Sequence, residues 1–248
     1  EQSAVMAMGA YFRASGKLSA ALVTAGAGSS NAITGVISNW ADSIPGIIIS
    51  GQEQSKYMTQ HSNLRMYGIQ GYNSSGMVQS VTKYHKTLTN EDNIQKELEY
   101  CFEISTNARP GPVWLDVPFD LQNKQSEFTT WKPTVTSSTI IDASNIYEQL
   151  KTAQRPVIIA GHGIRTSQSK AEFKKLLSQL NIPVLLTWSG IDLLPDDHKL
   201  NFGRFGIMGE RSANFIIQNS DVIISLGSRL SLLQIGYDPV SYTHLTLP

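Results

Sequence analysis

Charge is scarce in this chain. Acidic and basic side chains make up 16% of its 248 residues, against about 25% in an ordinary soluble domain. The 20 of each sign cancel to zero net charge, which leaves no electrostatic case for nucleic acid or an anionic membrane as partner. A surface so sparing of charge suits a chain that buries part of itself in other subunits. No apolar stretch reaches the ~18 residues of a membrane span. A single cysteine, Cys101, excludes a disulfide framework and fits a reducing cytoplasm. It lies beside Tyr100 and Phe102 in the helical pattern of residues 91–106 and reads as a small buried hydrophobe. His61, His85, His162 and His198 have no metal-ligand spacing, and none lies near the cysteine. They are taken as structural or solvated, and no metal ligand is assigned. No internal repeat of fixed period is visible.

The stretch from Ala21 to Gln52 is the most informative. Ala21 to Thr24 is an apolar run ending in Ala25-Gly26-Ala27-Gly28, and Ser29, Ser30 and Asn31 offer helix N-caps. Ala32, Val36, Ile37 and Trp40 follow at helical spacing, Asp42, Ser43 and Pro45 stop the helix, and Ile47 to Ile49 form a second strand. Such a β-loop-α-β unit belongs to a parallel sheet, and its loop lies at the carboxyl end of a strand, where open α/β sheets bind ligands. A dinucleotide is disfavoured. The third glycine of the fingerprint is replaced by Asn31, and no acid stands about 20 residues on to hold a ribose. Asn31 either caps the helix or presents its amide to a polar ligand.

Several ordered motifs carry a resemblance: Glu1-Gln2-Ser3-Ala4, Gly9 to Lys17, Thr24 to Asn31, Asp42 to Pro45, Tyr67 to Gln70, Val81 to Tyr84, Arg109 to Val113, Arg155 to Gly161 and Asn219 to Ile224. In this order they resemble thiamine diphosphate enzymes, and within them the acetolactate synthase large-subunit group, from Glu1 to about Pro239. The resemblance implies an α/β fold of two parallel-sheet domains, a pyrimidine-binding domain and a Rossmann-like central domain. It implies a 2-oxo acid decarboxylase or carboligase, a transferase or lyase, that uses thiamine diphosphate with Mg²⁺. It also implies a homodimer or homotetramer with its active site at the subunit interface.

Carried over residue by residue, Glu1 matches the glutamate that hydrogen-bonds the aminopyrimidine ring of the cofactor. A protonated carboxyl there favours the imino tautomer, whose nitrogen removes the thiazolium proton. That task calls for a dry pocket that raises the carboxyl's pKa. Ala27 and Gly28 match the loop under the cofactor, where the family commonly has Pro-Gly. Asn31 matches a polar residue at the helix start, and Gln70 a glutamine near cofactor and substrate. Gly71 stands where the family often has glutamate. The implied catalytic residues are therefore Glu1 and Gln70, and the implied cofactor-binding residues Glu1, Ala27, Gly28, Asn31 and Gln70. Without the resemblance, Glu1 reads as a solvated end residue, and Gln70 and Lys83 as surface polars.

The expected organisation is a pyrimidine-binding domain over residues 1–122, a polar linker over 123–142, a central domain over 143–239 and a non-native-looking tail over 240–248. In the second domain, a helix near Ala143 to Thr152 leads to a strand at Pro156 to Ala160. The loop Gly161-His162-Gly163 reads as a tight turn before a helix near Gln168 to Leu180. Strands at Pro183 to Thr187 and Asp221 to Leu226 bracket a helix near Glu210 to Gln218. In the resembling group this domain binds FAD. Here Gly206-Ile207-Met208-Gly209 and Arg229-Leu230-Ser231-Leu232-Leu233 depart from the family's contact runs, so FAD is the less expected cofactor. No Gly-Asp-Gly metal motif occurs. The expectation is a piece clipped at both ends, about half of an enzyme whose Mg²⁺ site lies in a further domain, and inactive alone. The rival expectation is a non-catalytic α/β nucleotide- or partner-binding module.

Overall fold

The computed structural model describes residues 1–59, 63–90, 92–133 and 142–237. The chain divides into two compact units, Glu1–Ser137 and Ser138–Pro248. Each is an α/β unit built on an all-parallel four-stranded sheet.

Unit 1 runs α1 (Gln2–Ser15), β1 (Ala20–Val23), α2 (Ala27–Ala41), β2 (Gly46–Gln52), α3 (Ser74–Met77), β3 (Tyr84–Thr87), α4 (Ile94–Thr106), β4 (Pro112–Pro118) and α5 (Phe119–Gln122). The strand order is β1-β2-β4-β3. The two central strands, GIIISGQ and PVWLDVP, are mostly buried, as expected for parallel strands covered on both faces. Alternate residues then serve opposite sides. Ile48 and Trp114, paired in register, join Val5, Met8, Ala32 and Val36 under α1 and α2. Ile47, Val113 and Leu115 join Leu121 and the buried face of α4, which presents Cys101. α1 ends at Gly16 in the left-handed region, with the Gly16 N–H bonded to Phe12 O at 2.8 Å. Residues 123–133 run back against α4. There Gln95 and Thr129 exchange hydrogen bonds of 2.8 and 3.0 Å, and Trp131 meets Phe102 edge-on.

Unit 2 runs α6 (Ser144–Thr152), β5 (Pro156–Ala160), α7 (Gly163–Thr166), α8 (Lys170–Leu180), β6 (Val184–Leu186), β7 (Asn201–Arg204), α9 (Arg211–Gln218), β8 (Val222–Leu226) and α10 (Leu232–Ile235), with strand order β7-β6-β5-β8. Its core is again two-sided: Ile158, Phe173, Leu177, Val184 and Leu186 on one face, Val157, Ile159, Leu185, Phe205 and Ile217 on the other. The helix expected from Gln168 starts at Lys170 and follows the short α7. Gln168, at φ 58° in the left-handed region, interrupts the helical path between them. Gly161-His162-Gly163 is a tight turn, with the Gly163 N–H bonded to Gly227 O at 2.9 Å.

Candidate functional site

The site lies at the carboxyl end of β1 in unit 1. Gly26, the N-cap of α2, has φ 67° and ψ −121°, a combination open to glycine and costly for other residues. A Cβ there would stand 1.3 Å from Gln70 Oε1, so the glycine also makes room for that side chain. Gln70 Oε1 accepts from the Ala27 N–H at 3.0 Å, one of the orphan donors of the helix start.

The helix therefore begins two residues before the expected caps, and no side chain caps it. Ser29 and Ser30 instead turn back to donate to Gly26 O and Ala27 O at 2.8 and 3.1 Å. Asn31 does not cap either. Its Nδ2 donates to Glu1 Oε2 at 3.2 Å, joining the start of α1 to the second turn of α2. The other carboxyl oxygen faces Gly28, where a Cβ would approach Glu1 Oε1 to 3.1 Å.

Glu1, Ala27, Gly28, Asn31 and Gln70 all line one cavity of about 560 Å³. Glu1 is exposed in the single chain. The cavity lies at the carboxyl ends of β1, β2 and β4. Gln70 also lines a neighbouring cavity of about 490 Å³, with Ala27, Ser30, Tyr72 and Met77.

Sequence reasoning missed Gln52, Glu53, Ile69 and Phe119, which share the lining. Gln52 ends β2, Glu53 follows it, and Phe119 follows β4. The rule that carboxyl strand ends gather around one crevice was the available signal. Glu53 lies below the ordinary carboxylate range, held there chiefly by the Ile69 N–H and then by that of Gln54. Among the described residues, no basic side chain lines this cavity.

Beneath the lining lies a buried polar network. Asp116, fully buried in β4, accepts from Trp114 Nε1 at 2.8 Å, Ser74 Oγ at 2.8 Å and the Ser75 N–H at 2.9 Å. Burial nevertheless pushes its carboxyl above the ordinary range. Ser74 Oγ in turn accepts from Gln52 Nε2 at 3.1 Å, which also donates to Tyr72 O at 3.0 Å. The Tyr72 hydroxyl donates to Gly26 O. One chain of bonds thus ties the sheet interior to the glycine loop.

Other singled-out residues fall outside the cavity. Lys83 Nζ donates to Asn107 O at 2.6 Å, and desolvation holds its amine below the ordinary range. Cys101 is fully buried and its thiol is pushed up to about 12 by burial, which makes it inert packing. His198 Nδ1 accepts from the Leu200 N–H at 3.2 Å, and His61 lies outside the described residues. Among the described residues, no group of three or more His, Cys, Asp or Glu could hold a metal ion. No described helix is long and apolar enough to cross a membrane.

Comparison with known proteins gives matches in both units. Residues 1–77 match the family description "Thiamine pyrophosphate enzyme, N-terminal TPP binding domain", and residues 143–244 match "Thiamine pyrophosphate enzyme, central domain". A probable acetolactate synthase large subunit of Methanocaldococcus jannaschii is 31% identical, over 93% of this chain and 40% of that protein. The one from Methanococcus aeolicus is 32% identical, over 93% of this chain and 39% of that protein. Acetolactate synthase isozyme 2 large subunit of Escherichia coli K12 is 28% identical, over 92% and 41%. The chain thus spans about two fifths of the length of these relatives.

Proposed function

The chain belongs to the thiamine pyrophosphate enzyme family, and from that premise we propose that the Glu1 cavity receives the aminopyrimidine end of thiamine diphosphate. The observation that carries this is the Glu1–Asn31 pair over Gly28, in one cavity with Gln70. The residues present fit that end of the cofactor. An aminopyrimidine brings N–H donors and a basic ring nitrogen. The cavity answers with two carboxylates, Glu1 and Glu53, and two carboxamides, Asn31 and Gln70. The same set does not fit a diphosphate, which needs cations. We assign the diphosphate and its Mg²⁺ to a part of the enzyme beyond these residues, on another subunit of a homo-oligomer.

The chain's own contribution to the chemistry is proton handling. Asn31 fixes one oxygen of Glu1 and leaves the other, over Gly28, to exchange a proton with the ring nitrogen. Gly28 keeps that approach free, and Gln70 forms the cavity wall toward a substrate. When bound, thiamine diphosphate supplies the nucleophilic carbon that attacks a 2-oxo acid and holds the electron pair left by departing CO₂. Pyruvate is the first substrate to assay. The exposure of Glu1 implies that a partner surface closes the site, since desolvation is what tunes a catalytic carboxyl.

The binding test needs no turnover. Thiamine titrated into the chain should shift the amide resonances of Gly28, Asn31 and Gln70, and Glu1→Gln should weaken that response. Shifts confined to unit 2 would refute the assignment. In a protein of the relatives' full length, Glu1→Gln should lower acetolactate formation from pyruvate by about 10²–10⁴-fold, the usual worth of a positioned acid–base group.

A further inference from the structure

Ile69 and Gln70 form part of the wall of the cavity, at the end of a surface stretch, residues 63–70, with little buried apolar area. All are exposed except the half-buried Tyr67, and Ile69 is 84% exposed. Tyr67 is tied to its own neighbourhood, its N–H donating to Thr59 Oγ1 at 3.3 Å, its carbonyl accepting from the Gly71 N–H at 3.1 Å and its ring meeting Tyr57 edge-on. At the cavity end, where so exposed a segment depends on polar bonds, those bonds converge on Glu53. Glu53 Oε2 accepts from the Ile69 N–H at 2.9 Å, and the Gln70 N–H also points at the carboxylate. Glu53 Oε1 accepts from the Gln54 N–H at 3.1 Å, and the Glu53 N–H donates to Gln52 Oε1 at 2.8 Å. The carboxylate is thereby fixed to the end of β2, whose Gln52 is anchored on Ser74 above Asp116.

Gly68 completes the seat. At φ 64° it occupies the left-handed region, and a Cβ would stand 2.7 Å from Glu53 Cγ and 2.9 Å from Oε2. The loop passes directly over the glutamate because this residue has no side chain. Gln70 is thus held at both ends: its backbone on Glu53, its side chain on the Ala27 N–H at 3.0 Å.

We propose that Glu53 is a positioning residue, a carboxylate latch that holds the 67–70 loop over the cavity and so places the Gln70 side chain on the start of α2. Glu53 acts through Gln70. Hydrogen bonds to a charged acceptor are the stronger kind, and they hold the end of the loop that carries Ile69 and Gln70. The functional meaning of the latch rests on the cavity being the pyrimidine site, but its mechanics do not.

The test reads a residue that Glu53 does not contact. In ¹H–¹⁵N spectra of the full chain without cofactor, the Ala27 amide reports its bond to Gln70. Glu53→Ala should move that resonance to its position in Gln70→Ala and leave the amides of β5 and β8 unmoved. Hydrogen exchange at Ile69 and Gln70 should rise about tenfold, as loss of a charge-assisted bond implies. Glu53→Gln, which keeps one carbonyl oxygen as acceptor, should return Ala27 most of the way to its wild-type position. If Glu53→Ala does not fold, Gly68→Ala takes its place, because its new Cβ strikes the same carboxylate. An Ala27 resonance that moves in Gln70→Ala but stays put in the Glu53 or Gly68 variant overturns the proposal. Thiamine failing to shift the cavity while Ala27 responds would instead overturn the functional reading and leave the latch standing.

Discussion

Both units use the same local grammar, a short apolar strand, a glycine loop and a helix, yet their loops end in opposite states. In unit 1 the space that a Cβ on Gly26 or Gly28 would take is filled by side chains, Gln70 above one and Thr24 and Glu1 above the other. Side chains can move, and between them they leave a polar cavity. In unit 2 the corresponding space at Gly161 and Gly163 is filled by backbone. A Cβ on Gly161 would stand 2.2 Å from Gly227 O, and one on Gly163 would stand 2.6 Å from Gly227 Cα. That loop is closed on its neighbour. A glycine loop in a parallel sheet is therefore not a site in itself. What meets the missing side chain decides whether the loop opens or seals.

The sharpest way to break this contrast is alanine at each loop. Gly161→Ala should destabilise unit 2 by about 3 kcal/mol, because backbone cannot rotate away from an inserted methyl. Gly28→Ala should cost about 1 kcal/mol while reducing the thiamine response at Asn31. Denaturant unfolding followed by Trp188 for unit 2 and by Trp114 for unit 1 separates the two. Equal costs would mean that the loops are alike after all.

A second contrast is the sign of pH dependence. Asp116 in unit 1 has its pKa raised by burial, so the folded state keeps a proton that the unfolded chain releases near pH 4. Its contribution is complete below that pH and is lost as pH rises through the folded value. Asp221 in unit 2 is lowered, first by the Gln154 N–H at 2.7 Å and then, after a small opposing desolvation, by the Arg155 N–H at 2.9 Å. Its contribution is present above about pH 4 and is lost as pH falls through its folded value. The stability difference between wild type and Asp116→Asn should therefore shrink as pH rises above 4. The difference for Asp221→Asn, the smaller effect because this carboxylate is fully exposed, should shrink as pH falls below 4. Slopes of the same sign would dissolve the comparison.

Legibility did not follow that divide: β1 and β2 of unit 1 could be read, and β7 of unit 2 could not. The strands of unit 2 at Pro156 and Val222 could be read because they are apolar runs between turn residues, broken only by the small Ser225 in the second. β4 could not, because its apolar run is interrupted by Asp116. That carboxylate is tolerable only with donors from Trp114, Ser74 and Ser75, two of them far away in sequence. β3 was also missed, since its four residues are all half-buried and Tyr84 and Lys86 share an ion-paired cluster with Glu97. At the site, Glu1, Ala27, Gly28, Asn31 and Gln70 came from ordered motifs, and the structure brings them to one cavity. Glu53 carried no local signal. Its importance comes from a loop that returns over it 16 residues later.

The single sulfhydryl of the chain gives this two-part molecule a practical asymmetry. Cys101 is sealed on the buried face of α4 in unit 1, and no other cysteine occurs anywhere in the sequence. An alkylating reagent can reach it only when that core opens, so its labelling rate is a clock for the opening of unit 1 alone. A cysteine newly placed on the surface of unit 2 would react at once and by itself, giving each half its own readout within one polypeptide.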